Sequence, residues 1–383
     1  MRVLYVYSGN LYGGVETMLL TLARHGAEMG ASFALCSEGR LSEALTAAEA
    51  VVHQLGGVRI SHPLSVRRSR RALANLLRRE PFDAVICHSP WSQAIFGPVA
   101  RQARLPLVFW LHDRVNGRHW LERWARKCPP DLALCNSQFT ASTVSNIFPR
   151  VRAEVIYCPV APPATEYSSV DRALLREELS TPAASTVIIQ ASRMEKWKGH
   201  LLHLEALSLL KELPGWVCWQ AGGGQRPHEV EYFDELKRAA ERLKIADRVR
   251  FLGQRRDVER LLSAADIHCQ PNTGPEPFGI AFVEALLARL PVVTTAIGGA
   301  REIVTDACGM LVPPDDARSL ARALKQMIED DQLRRRLGGA GPARARELCD
   351  PTVQMRKLKR SLASVINGVS LTGGRQNDGP RRL

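Results

Sequence analysis

The chain has 383 residues, of which 45% are hydrophobic and 24% charged, and a formal net charge of +13. This length exceeds one ordinary core and predicts two α/β domains, and the composition excludes a chain too polar to fold. No run reaches the roughly 18 apolar residues of a membrane span, and nine singly placed cysteines without a Cys-x-x-Cys pair argue against a disulfide framework or a structural zinc site.

In chain order, Met1 opens directly into the apolar run RVLYVYS, a buried strand at 2–7 and not a secretory leader. The scattered cysteines point to a reducing compartment, so the expected location is the cytoplasm. Gly13-Gly14 makes a turn, and apolar Val15, Met18, Leu19 and Leu22 at helical spacing predict a helix over 15–29. Short apolar runs at 32–37, 84–88, 107–111 and 132–135 predict further strands. Residues 59–127 hold fourteen Lys or Arg against four Asp or Glu. Within them, 66–79 reads as a helix with Leu73, Leu76 and Leu77 inward, and 114–127 sets basic residues beside Trp120 and Trp124. Such a face suits an anionic membrane surface and equally a solvated helix over a sheet. It contains no recognised nucleic-acid-binding module, so no nucleic-acid partner is expected.

The proline-rich segment 158–169 breaks the alternation and reads as a linker. Strands are then predicted at 186–192, 216–221, 249–252, 267–270 and 291–295, with helices between them, among them 232–243 and 282–288. The expected architecture is α/β: two Rossmann-like doubly wound domains facing a cleft, at 1–165 and 166–349. A C-terminal helix at 350–367, free to cross back to the first domain, precedes a tail at 368–383 expected to lack structure.

Two segments carry chemistry. Glu276-Pro-Phe-Gly-Ile-Ala-Phe-Val-Glu284 follows a strand and enters a helix near Gly279, where free amides and the positive dipole end suit a phosphate. Glu284, more than a turn inside, is placed to accept two ribose hydroxyls, and Glu276 lies in the loop within reach of a sugar. The spacing alone equally fits a solvated loop acid and a helix-face acid. In Ser192-Arg-Met-Glu-Lys-Trp-Lys-Gly-His200, Arg193 and Lys198 lie at a strand's carboxyl end. There they suit a diphosphate, although surface cations are the ordinary fate of such residues. No Asp-x-Asp pair is available to hold a divalent ion, so no cofactor or metal is expected.

Arg193 and Lys198 followed about 80 residues later by Glu276 and Glu284 resemble the pattern of glycosyltransferase family 4. Tyr5–Glu16 (YVYSGNLYGGVE) resembles that family's opening strand and glycine loop. Asn136–Ala141 resembles the close of its acceptor-side domain, and Val155–Val160 its interdomain link, with Cys158 where asparagine is more usual. Ala221-Gly-Gly-Gly224 and Phe251-Leu-Gly-Gln254 resemble its nucleotide-side loops.

The resemblance implies the two-domain GT-B fold and retaining transfer of a hexose-type sugar from a nucleotide-diphosphate donor, without metal, to an unidentified glycan, lipid-linked or small-molecule acceptor. Arg193 and Lys198 would clamp the diphosphate, Glu284 the ribose, and Glu276 the donor sugar. Amides of Phe278, Gly279 and Ile280 would meet phosphate or sugar, and Gly13 and Gly14 would admit the diphosphate without a side-chain clash. His112, at the end of the strand FWLH, resembles the family's histidine near the anomeric carbon. Within the cytoplasm, the basic region would place the chain on the inner face of the cell membrane. The other readings are a sugar-nucleotide epimerase or phosphorylase on the same fold, and a non-catalytic binder. A nicotinamide enzyme fits less well, because AGGGQRP lacks the spaced G-x-G-x-x-G.

Overall fold

The structure is a computed structural model and describes residues 1–8, 13–26, 29–163, 165–224 and 226–373. It divides into two compact units, one made of Met1–Pro159 together with the stretch from Asp350 onward, the other of Val160–Cys349.

In the first unit the strands are β1 (Val3–Tyr7), β2 (Ala31–Leu35), β3 (Val51–Gln54), β4 (Ala84–His88), β5 (Leu107–Leu111), β6 (Leu132–Cys135) and β7 (Ala153–Val155). They form one parallel sheet in the order β3-β2-β1-β4-β5-β6-β7. The central strands are near-continuous apolar runs, and every residue of β4, β5 and β6 is buried. That is the pattern of a parallel sheet covered by helices on both faces. One cover is the helix Pro63–Arg79, which buries Val66, Ser69 and Leu73, with Leu76 and Leu77 partly buried against the same core. β3 and β7 are additional to the strands expected from the sequence. Both are edge strands, and Val51 is half exposed, so neither carries the apolar run that identifies a central strand.

The second unit has β8 (Thr186–Ala191), β9 (Trp216–Ala221), β10 (Val249–Gly253), β11 (Ile267–Gln270), β12 (Val292–Thr295) and β13 (Gly309–Val312), all parallel, in the order β10-β9-β8-β11-β12-β13. β13 is likewise an unexpected edge strand, four residues beginning with glycine. In each sheet the chain starts in the middle and reverses direction across it. The reversal falls between β1 and β4 in one unit and between β8 and β11 in the other. Ligands of doubly wound sheets bind outside the strands' carboxyl ends at this reversal.

Helix ends differ from expectation in two places. The first helix is Gly14–His25 and stops at Gly26, short of 29. The last helix, Pro351–Gly373, continues past 367 and buries Met355, Leu358, Leu362 and Val365. The rest of the tail expected to lack structure, 374–383, lies outside the described residues. Glu154 and Arg152, at and beside β7, meet this helix through Ser361 and Ser364, with Arg152 donating to Ser364 Oγ at 2.9 Å. Among the described residues no helix is long and apolar enough to cross a membrane.

Candidate active site

The donor-side residues gather at the β8–β11 reversal. Arg193 follows β8 by two residues, and a helical turn, Lys196–Lys198, then ends at Gly199. Gly199 has φ +73°, and a Cβ there would stand 1.8 Å from the Pro271 carbonyl oxygen. Only glycine therefore lets the loop after β8 press against the loop after β11. The amide of Thr273 donates to the Trp197 carbonyl at 2.9 Å, and Gln190 Nε2 donates to the Lys198 carbonyl at 2.9 Å. The first contact ties the two loops together, and the second anchors the backbone of Lys198 to β8.

There Lys198 Nζ donates to Glu276 Oε2 at 2.6 Å. The pair is nearly buried, with side-chain exposures of 12% and 9%. Asn272 Nδ2 at 3.0 Å and Gln270 Nε2 at 3.2 Å also donate to Glu276 Oε2. One carboxylate oxygen thus takes three donors, while no described residue is bonded to Oε1. The ammonium lies 4.0 Å from the centre of the Trp197 ring, a cation–π contact. Arg193 lies 3.1 Å from the carboxylate of Glu195 and is more exposed. Sequence reasoning placed two cations and two acids near one phosphate site. In the structure one cation is already joined to one of those acids, and the other cation has a carboxylate of its own.

Beyond Glu276 the chain makes a parallel bridge to Gly298, and the Gly299 amide donates to the Glu276 carbonyl at 2.7 Å. Phe278 is buried, and Gly279, at φ +109°, opens the helix Ile280–Leu287. A Cβ on Gly279 would stand 2.4 Å from the Phe282 ring. Because glycine has no side chain, this helix start lacks a side-chain cap; the Phe282 amide donates to the Gly279 carbonyl at 3.0 Å, and the amides of Ile280 and Ala281 are left to an anion. Glu284, half-buried on this helix, has no hydrogen-bond or ion-pair partner among the described residues. Burial, and secondarily the carboxylate of Glu259, push its carboxyl up to about 7.

The remaining expected residues lie in the first unit. Gly13 caps the helix Gly14–His25, and its amide donates to Glu16 Oε2 at 2.8 Å. Tyr7 donates to the other Glu16 oxygen at 2.7 Å. The φ of Gly13, −167°, suits any residue, and an added Cβ would meet only Glu16 Oε2, at 3.6 Å. Among the described residues, neither backbone nor packing demands glycine there.

His112 follows β5, and its Nε2 lies 2.7 Å from His88 Nδ1 at the end of β4. The rings are parallel to within 2° with centroids 5.0 Å apart. One neutral ring therefore donates to the other along an edge-to-edge contact. Burial lowers His112 to about 3 and, with His112 beside it, holds His88 well below the usual histidine range. The outer nitrogens, His88 Nε2 and His112 Nδ1, are buried without a partner among the described residues. Sequence reasoning singled out His112 and missed His88. The available signal was the histidine ending AVICH, because β4 and β5 are neighbours with His88 level with Trp110. Gln270 and Asn272 were missed too, and their signal was polar side chains in a strand end that is otherwise apolar.

Two doubly wound α/β units with an uncapped helix start, a free acid and paired cations at a sheet reversal define a GT-B protein of the kind that handles nucleotide-linked sugars. Comparison with known proteins agrees. The sequence model described as Glycosyltransferase Family 4 matches residues 12–162, and the one described as Glycosyl transferases group 1 matches 171–344. The chain belongs to glycosyltransferase family 4. It is 30% identical over 214 residues to the lipopolysaccharide core biosynthesis glycosyltransferase LpsE of Rhizobium meliloti, covering 55% of this chain and 58% of the relative. It is 37% identical over 153 residues to the phosphatidyl-myo-inositol mannosyltransferase of Mycolicibacterium smegmatis, covering 39% and 37%. Both matched stretches span less than two thirds of the relative's length. The crystal structure of Anabaena HepE in complex with UDP-glucose resembles this chain with a TM-score of 0.85 at 26% identity, over 95% of this chain and 100% of that one.

Proposed function

We propose that this chain is a retaining glycosyltransferase that moves a hexose-type sugar from a nucleotide diphosphate to a glycan, lipid-linked or small-molecule acceptor, without a metal. The observation that carries this reading is the Lys198–Glu276 pair at the β8–β11 reversal, beside the uncapped helix start that leads to unpartnered Glu284. Lys198 has two N–H donors left for a diphosphate, and Glu276 keeps Oε1 for a sugar hydroxyl. Glu284, once ionised, accepts the two ribose hydroxyls. Arg193 adds its fork beside the phosphates, and Gly13 and Gly14 leave room for them in the first unit.

In the reaction the bond from the anomeric carbon to the phosphate oxygen breaks, and a bond to the acceptor oxygen forms on the same face. The departing phosphate oxygen takes the acceptor's proton. No side chain has to supply or remove that proton, and the protein's part is to stabilise charge on the leaving diphosphate. Neutral His112 hydrogen-bonds a sugar hydroxyl near the reacting carbon. Because HepE is held with UDP-glucose, UDP-glucose is the first donor to try in a sugar-nucleotide panel read by release of nucleoside diphosphate. No release from any donor, with or without extracts that contain acceptors, would overturn the transferase reading.

The chain's place is the cytoplasm, on the inner face of the membrane. The helix Pro63–Arg79 exposes Arg67, Arg68, Arg71, Arg78 and Arg79 as well as Leu64, and Trp120 is half exposed. Basic side chains beside apolar ones suit an anionic interface. Sedimentation with anionic but not neutral liposomes is the expected result, and none with either would remove this proposal.

A further inference from the structure

In the second unit, the strand end that leads to Glu276 carries polar side chains into the core. β11 reads Ile267-His-Cys-Gln270, and Asn272 follows it after one proline. Gln270 and Asn272 are 1% and 0% exposed, so each amide gives up its water on folding. An apolar side chain at either place would be buried at less cost.

The hydrogen bonds of the two amides run toward one carboxylate. Gln270 Nε2 donates to Asn272 Oδ1 at 3.1 Å and to Glu276 Oε2 at 3.2 Å, and Asn272 Nδ2 donates to the same Oε2 at 3.0 Å. A carboxylate paired with an ammonium only accepts, so both amides must turn their nitrogens to it. Gln270 Oε1, by contrast, is buried without a partner among the described residues. Gln270 therefore serves the fold poorly: its acceptor is left unsatisfied while its donors go to Asn272 and Glu276.

The backbone around this clamp is held as well. From β12, Thr294 Oγ1 donates to the Gln270 carbonyl at 2.8 Å and Thr295 Oγ1 to the Asn272 carbonyl at 2.6 Å. Both threonines are buried. Gly298, just after β12, has φ +62°, and a Cβ there would stand 2.4 Å from the Glu276 carbonyl oxygen. Glycine thus lets this strap close on the Glu276 main chain.

Charge alone does not call for two amides, because Lys198 already supplies the counter-charge at 2.6 Å. The amides add direction. A lysine stem is flexible, and a carboxylate held by it alone can turn to follow a ligand. With Gln270 and Asn272 on the same oxygen, turning loosens three contacts at once, so Oε1 becomes an acceptor fixed in space.

We propose that Gln270 and Asn272 are positioning residues for donor selection: by holding Oε2 they make Oε1 demand a sugar hydroxyl at one place and reject donors that lack it. The proposal rests on the transferase reading above, in which Glu276 meets the donor sugar. To that reading it adds the residues that make the contact discriminating. A donor without the hydroxyl leaves a buried acceptor unpaired, and a rigid site cannot adjust to recover the loss.

The test is calorimetric titration of the full-length chain with UDP and GDP, and then with UDP-glucose and GDP-mannose and their singly deoxygenated analogues. In the natural chain one deoxygenated analogue should bind at least roughly tenfold more weakly than its parent. Gln270→Met keeps length and apolar burial without the amide, and Asn272→Ser leaves a hydroxyl too short to reach the carboxylate. Each should shrink that penalty to about threefold or less, with affinity for the nucleoside diphosphate unchanged. Thermal unfolding checks both variants, and either one that folds suffices. A penalty as large in the variants as in the natural chain overturns the proposal, as does a natural chain that binds every analogue like its parent. Equal loss of affinity for nucleoside diphosphate and sugar nucleotide overturns it too, since a residue that serves only the fold acts on both ligands alike. Failure of the natural chain to bind either sugar nucleotide removes the transferase reading itself, and this proposal with it, before any variant is made.

Discussion

Two groups of cations, one in each unit, are presented in opposite ways. On the donor side, Lys198 and Arg193 meet Glu276 and Glu195, and the Lys198 pair is nearly buried. In the first unit, Arg59 and Arg68 face an open cavity with no counter-charge among the described residues. A buried charge cannot stand alone, so the second unit supplies Lys198 with an acid. Exposed arginines need no such support, because water screens them until a ligand arrives. The Lys198–Glu276 pair is thus costly to alter, and the arginines at the first unit's cavity are cheap to alter.

Lys198→Ala should break this contrast hardest. It removes leaving-group stabilisation, with turnover expected to fall by roughly 10²–10³, and leaves Glu276 buried and unpaired, at a cost of about 3–5 kcal/mol. Lys198→Met/Glu276→Gln should regain most of the stability in urea titration and none of the turnover. If the double variant recovers turnover as well, the pair serves the fold alone. Gly199→Ala comes next: the Pro271 carbonyl has to move and the backbone is strained, so a loss of about 2–4 kcal/mol is expected, with donor affinity falling as the loop carrying Lys198 shifts.

Glu284 gives a smaller effect of opposite sign. Its carboxyl is pushed up to about 7 in the folded chain against an ordinary 4.5. The folded state therefore binds more protons than the unfolded state between these values, and stability falls as pH rises through that window. Glu284→Gln should raise stability by about 1–2 kcal/mol at pH 8, after allowance for partial exposure, and change nothing at pH 4. It should also weaken donor binding, and in the natural chain donor affinity should rise from pH 6 to 8 as the acid ionises. A pH-independent affinity would remove Glu284 from the ribose.

The smallest effect is expected at the histidine pair. With His112 lowered to about 3 and His88 held well below its usual range, both rings are neutral across pH 5–8, and the rate profile should show no histidine limb there. His88→Gln, which keeps a hydrogen-bonding group, should lower kcat less than His88→Ala, each by about tenfold or less. Identical effects on kcat would show that His88 does not orient His112.

What the sequence disclosed follows a physical line. Central strands were legible because burial on both faces forces an apolar run, whereas β3, β7 and β13 are short edge strands with no such demand. Glu276, Glu284, Arg193 and Lys198 were legible as segments after strands. That Lys198 meets Glu276, 78 residues away, was not legible, because it depends on β8 lying next to β11. His88 escaped notice for the same reason, since its partner is reached across neighbouring strands. Contacts made across a sheet are set by strand order, and strand order leaves no local trace in the chain.

The final helix, Pro351–Gly373, returns to the unit that begins at Met1. The donor unit is thus an insertion within the first, and it is the first to be complete as the chain is synthesised. The second unit is thus present in the chain before the helix that buries Met355, Leu358 and Leu362 in the first unit has been made. A chain cut short at 349 would keep the second unit whole and leave the first without part of its cover.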